Sequence, residues 1–117
     1  MRYLLELSFN GANYHGWQIQ PNCVSVQGTI EKCISTILNQ KVSIVGAGRT
    51  DTGVHASYFC AHFDFDLIID DKSDFIYKSN SFLPSDIAIK NILFVINLNL
   101  IYRFVFYRSI KLKLNVR

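Results

Sequence analysis

The sequence has little proline, two residues in 117, and little charge, with Asp, Glu, Lys and Arg together at 18%. Apolar residues reach 50%, so the chain lies outside the poorly hydrophobic, highly charged class that stays disordered. It holds three cysteines, Cys23, Cys33 and Cys60, and no Cys-x-x-Cys pair. An odd set without such pairing argues against a disulfide scaffold and fits free thiols in a cytoplasmic protein. No apolar run reaches the roughly 18 residues that a membrane span requires. The strongest runs, 87–96 and 98–106, are broken by Lys90, Asn91, Asn97, Asn99 and Arg103. Met1-Arg2 opens an alternating pattern instead of the apolar core of a secretory leader, so neither membrane insertion nor export is expected. There is no Gly-Lys-Ser/Thr, no His-Glu-x-x-His and no nucleophile elbow, which leaves a phosphate-cradling loop and a zinc protease helix unsupported. His15, His55 and His62 lack metal-ligand spacing.

The length allows one domain with a single core. The net charge is +3, and its distribution is uneven. Residues 100–117 hold Arg103, Arg108, Lys111, Lys113 and Arg117 without an acid, while 64–74 hold five aspartates and one lysine. The basic end suits phosphate contacts or a solvated strand.

Periodicity predicts the elements. Residues 2–9 alternate, with Tyr3, Leu5, Leu7 and Phe9 on one face and Arg2, Leu4, Glu6 and Ser8 on the other. Asn10-Gly11-Ala12-Asn13 reads as a turn. The stretch 14–22 is irregular, aromatic and rich in amides. Ser25 caps a predicted helix over 26–40, whose stripe is Val26, Ile30, Cys33, Ile34, Ile37 and Leu38. A short strand is expected over 41–47 and a longer one over 57–66. Between them, 48–56 form a glycine-punctuated loop. A second helix over 74–82, capped by Ser73, is followed by Leu83-Pro84-Ser85-Asp86 and a strand over 87–96, in which Ile87, Ile89 and Asn91 share a face. A further strand is expected over 102–107. The order β-α-β-β-α-β predicts an α+β domain of ferredoxin-like layout, an antiparallel sheet with helices on one face.

The loop carries the most chemistry. Gly46-Ala47-Gly48-Arg49-Thr50-Asp51-Thr52-Gly53-Val54-His55-Ala56 places three glycines in eight residues beside an arginine, an aspartate and two threonines. Binding groups are commonly mounted on such a loop between apolar strands. Arg49 and Asp51 are two apart, so they can pair or bracket one substrate. An aspartate beside an arginine stays ionised, which suits a nucleophile or base. The same pattern also suits a surface ion pair in a turn. Tyr14 and Trp17, with Gln18 and Gln20, can stack on or bond to bases, or equally cover the sheet edge.

The segment Gly48-Arg49-Thr50-Asp51-Thr52-Gly53-Val54-His55-Ala56 resembles the signature of the tRNA pseudouridine synthase A family. The flanking segments resemble it too: Arg2-Tyr3-Leu4-Leu5-Glu6-Leu7-Ser8-Phe9-Asn10-Gly11, Tyr14-His15-Gly16-Trp17-Gln18-Ile19-Gln20-Pro21-Asn22, Val26-Gln27 at the helix start, and Leu83-Pro84-Ser85-Asp86-Ile87-Ala88-Ile89. The resemblance runs from Met1 to Phe104. It implies an isomerase that converts uridine to pseudouridine in the tRNA anticodon stem-loop, at positions conventionally numbered 38 to 40, without a cofactor or metal and as a homodimer. By the same resemblance Asp51 is the catalytic nucleophile, and Arg49, Thr50, His55, Trp17 and Gln18 are expected to bind the RNA.

The resemblance also implies two departures. In the family a second, similar domain completes the cleft, and these 117 residues do not include it. Beyond 1–104, residues 105–117 form a divergent basic end. Where the family continues with Ala and then Arg-x-Tyr-x-Tyr, this chain reads Val105-Phe106-Tyr107-Arg108-Ser109-Ile110-Lys111. Lys111 falls at the place of the expected tyrosine, and Tyr107 is out of register. A shifted or shortened reading frame is the expectation.

Overall fold

The computed structural model describes residues 1–95. The expected strand over 102–107 and the basic end over 105–117 lie outside them. The elements are β1 (Arg2–Phe9), a 3-10 turn (Gly11–Asn13), α1 (Val26–Leu38), β2 (Val45–Gly46), β3 (Ala56–Asp64), α2 (Lys72–Phe82) and β4 (Ile87–Val95). The strands form one sheet of order β2-β3-β1-β4. Every neighbouring pair is antiparallel. This is the expected α+β fold, with the strand order of a ferredoxin-like domain.

The alternation of β1 sets the two faces. Tyr3, Leu5, Leu7 and Phe9 join Val26, Ile30, Cys33 and Ile34 of α1, Phe75 of α2, and Ala61 and Phe63 of β3 in the main core. Both helices therefore lie against this face. The other face is not a simple polar surface. Leu4, Cys60 and Val95 are buried there with Tyr58 and Leu93 packed against them. Glu6, only 3% exposed, accepts a hydrogen bond from Tyr58 Oη at 2.6 Å and one from Asn91 Nδ2 at 3.2 Å. One carboxylate thus links the central strand to both neighbours, which satisfies a group whose unpaired burial is costly.

Three expectations are corrected. The second helix starts earlier than its pattern indicates: Asp71, rather than Ser73, is the cap and accepts from the Asp74 N–H. In β4 the register shifts between Glu6 and Leu7 of β1, so that Asn91 faces Glu6 while Ile89 faces Leu7. Lys90 is the extra residue of a bulge. The shift moves Ile92 into the main core with Ile87 and Ile89, and it turns Asn91 toward Glu6 on the opposite face. Finally, the expected strand over 41–47 has only two ladder residues, because the backbone of Val42 and Ile44 is bonded to side chains of α1 instead.

Candidate active site

The loop 47–55 joins two neighbouring strands, so its ends are fixed by the β2–β3 ladder and by the Ala47 N–H, which donates to the Cys60 carbonyl at 2.8 Å. Its middle is held by the segment after β1. The Trp17 N–H donates to the Thr50 carbonyl at 3.4 Å, and the Gly53 N–H to the Tyr14 carbonyl at 3.2 Å. Within the loop the Val54 N–H closes a turn onto the Asp51 carbonyl at 3.2 Å. Gly16 makes the approach possible. Its φ is +80°, and a Cβ there would overlap the Thr50 carbonyl, so any side chain at this position would push the loop away.

The clasping segment has its own anchors. The Tyr14 hydroxyl donates to Asp86 Oδ1 at 2.6 Å. Burial, together with the Asp86 carboxylate, holds that phenol well above its ordinary range. The Val26 N–H donates to the Gly16 carbonyl and the Gln27 N–H to the Trp17 carbonyl, so the segment docks on the first turn of α1 and satisfies donors that a helix start leaves open. The sequence pattern did not single out Asp86 as an anchor. The signal was a tyrosine in a polar stretch, which is consistent with many partners.

The expected site residues differ in their surroundings. Asp51 and Arg49 are both exposed, and among the described residues they form no ion pair with each other. Of the two arrangements left open by their spacing, a mutual surface pair is absent, and both charged groups remain presented to solvent. Gln18 is exposed at the exit from the clasping segment. Thr50 lies between the two charged residues, with its Oγ1 buried and without a hydrogen-bond partner. His55 carries a structural bond: its Nδ1 accepts from the Gly11 N–H at 2.9 Å. This fixes the proton of the neutral ring on Nε2 and leaves that nitrogen as the donor.

Trp17 differs from the expectation of a base-stacking platform. It is 2% exposed, with ring centroids 4.4 Å from Phe59 and 6.3 Å from Phe9. The indole covers the sheet end and lies over Gly46, where a Cβ would collide with it. Burial of a large aromatic body is worth more here than an exposed stacking surface. Trp17 is therefore packed against Phe59, Phe9 and Gly46, with almost none of its surface exposed.

What the loop offers is a carboxylate and a guanidinium two residues apart, on a backbone pinned at Thr50 and Gly53. The pinned backbone sets where the two exposed side chains start, and a carboxylate and a guanidinium presented side by side suit electrostatic and nucleophilic chemistry on a bound ligand.

No protein-family model matches the chain. Individual curated proteins do. The chain is 49% identical over 92 residues to a tRNA pseudouridine synthase A of Azobacteroides pseudotrichonymphae, a stretch covering 79% of this chain and 36% of that protein. It is 50% identical over 88 residues to the protein of that name from Bacteroides thetaiotaomicron, covering 75% and 32%. To the one from Parabacteroides distasonis it is 47% identical over 95 residues, covering 81% and 38%. The matched stretch thus spans about a third of the length of these relatives. On this similarity, and with a fold that mounts the signature loop on its sheet, the chain belongs to the tRNA pseudouridine synthase A family, as a relative of its N-terminal part.

Proposed function

We propose that this chain carries the nucleophile-bearing part of a tRNA pseudouridine synthase acting in the cytoplasm, with Asp51 as the nucleophile. The exposed Asp51 carboxylate on a pinned loop is the observation that carries the reading. In the isomerisation, the bond from ribose C1′ to uracil N1 breaks, the base turns, and C1′ bonds to C5. The C5 proton leaves and N1 takes one up, so no redox partner or cofactor enters the balance. Asp51 assists the first break by attack at the sugar or at the base. A uridine within a stem is out of reach of any loop, so the base must leave its stack. Arg49 holds a phosphate of the extruded nucleotide or fills the space it vacates. Gln18 and the His55 Nε2–H offer hydrogen bonds beside it, and Thr50 supports the turn between the two charges. The targets proposed are uridines 38 to 40 of the anticodon stem-loop, read through RNA shape and phosphates, by an enzyme acting as a homodimer. The relatives' remaining length, including the second domain, would complete the cleft.

The test is incubation of the purified chain with tRNA and mapping of pseudouridine in the anticodon arm, for the natural protein and for Asp51→Asn. With the domain that completes the cleft supplied as a separate chain, the expected result is product from the former and none from the latter, with tRNA binding retained in both. Product from Asp51→Asn would remove the nucleophile role. Salt-dependent binding without product from the natural chain would mark it as an RNA-binding module.

A further inference from the structure

We propose that Gln27 is a positioning residue for the Asp51 loop, an inference that rests on reading this loop as the reactive one. The Val26-Gln27 motif at the start of α1 has no place among the loop's own groups, yet Gln27 touches both segments that support the loop. Its Oε1 accepts from the Ile19 N–H at 2.9 Å. Its Nε2 donates to the Ile44 carbonyl at 2.6 Å. Its backbone N–H donates to the Trp17 carbonyl at 2.9 Å. One turn later, Glu31 Oε1 accepts the Ile44 N–H at 2.8 Å, so both backbone groups of Ile44 are bonded to α1.

The consequence follows from what the two segments do. Ile44 lies two residues before Gly46, the last residue of β2. Ile19 lies two residues after Trp17, whose N–H holds Thr50 and whose indole covers Gly46. A single amide therefore fixes the spacing between the strand that enters the loop and the segment that clasps it. The chemistry of this position is specific. Glutamine supplies a donor and an acceptor at the tip of the side chain. Glutamate loses the donor to Ile44, asparagine is one methylene short, and methionine matches the length but has neither function.

The test is amide hydrogen exchange on the full chain, comparing the natural protein with Gln27→Met and Gln27→Glu. In Gln27→Met, the amides of Trp17, Gly53 and Val54 are expected to exchange about tenfold faster, a factor matching the net worth of one to two hydrogen bonds. The β1 amides of Leu5 and Leu7 are expected to keep their protection. Gln27→Glu keeps the acceptor for Ile19 and should fall between. Equal acceleration in loop and core would mark a merely structural residue, and unchanged loop exchange would remove the role; either result overturns the proposal. Should the variants not fold, the natural chain decides: the Ile19 amide, which donates to Gln27 Oε1, and the Gln27 Nε2 protons must be protected, and exchange at solvent rate overturns the assignment. None of these readouts needs turnover. Pseudouridine formation by Asp51→Asn would sink the nucleophile while leaving Gln27 in place, and an unprotected Ile19 amide would do the reverse.

Discussion

Trp17 shows how a residue in an amide-rich, exposed-looking stretch can be packed into the core. Its sequence neighbours, His15, Gly16, Gln18 and Gln20, are compatible with an RNA-facing surface, and a lone aromatic among amides reads equally as a stacking platform or as a cover. What decides between them lies far away in sequence: Phe59 on β3, Phe9 at the end of β1, and a glycine at 46 that leaves room for the indole. Pattern alone cannot pair such residues, whereas the exposed charges at 49 and 51 were legible because glycines and polar residues confined them to a loop. Trp17→Ala empties a fully enclosed volume, and a large-to-small change of that kind costs about 3–5 kcal/mol. It also removes the support beneath Gly46. Chemical denaturation should show the lost stability, and the Gly53 amide should lose protection together with it. A loss below about 1 kcal/mol would mean that the indole is not packed as described.

At the scale of elements, the limits of β1 and the start of α1 followed directly from alternation and from Ser25, whose side chain accepts from the Gly28 N–H. The edges of the sheet did not. An edge strand exposes unpaired backbone that invites another chain, and here the helices beside each edge take up part of it. Just before β2, Ser35 Oγ accepts the Val42 N–H while Gln27 and Glu31 bond both groups of Ile44. On β4, Asn80 of α2 donates to the Ile89 carbonyl at 2.9 Å and accepts its N–H at 2.7 Å, and the Ile92 N–H turns to Asn91 Oδ1. These are side-chain-to-backbone bonds that apolar periodicity does not report, so a reading by periodicity made β2 too long and missed the bulge at Lys90. Asn80→Ala would open the Ile89 groups. The expected outcome is faster exchange at the Ile89 amide and concentration-dependent self-association, measured by light scattering. A variant that remains monomeric, with Ile89 still protected, would show that the side chain does not guard the edge.

For the whole molecule, the second face of the sheet carries two groups whose shifted protonation predicts a response to acid. His62 lies there between Leu4 and Val45, its cross-strand neighbours. Burial lowers its pKa below the ordinary value of 6.5, the Arg2 charge lowers it further, and Asp64 opposes the shift. Arg2 Nε donates to Asp64 Oδ1 at 2.8 Å, and this bond brings the Asp64 carboxyl below its ordinary 3.8. Both shifts act in the same direction. The folded imidazole takes its proton at a lower pH than the unfolded one, so between those values the unfolded chain binds more protons and stability falls as pH falls. Asp64 repeats the effect in a lower window: its contribution is present above 3.8 and fades as pH drops through the lowered folded value. That pair is largely exposed, so its share is small and screened by salt. Denaturation midpoints taken from neutral pH down to about pH 5, where an ordinary histidine becomes charged, should therefore decline in the natural chain. They should decline less in His62→Gln, while Asp64→Asn should leave this upper window nearly intact and flatten only the more acidic one. If the His62→Gln midpoints fall as steeply as those of the natural chain across the upper window, the acid response belongs to other groups, and His62 plays no part in it.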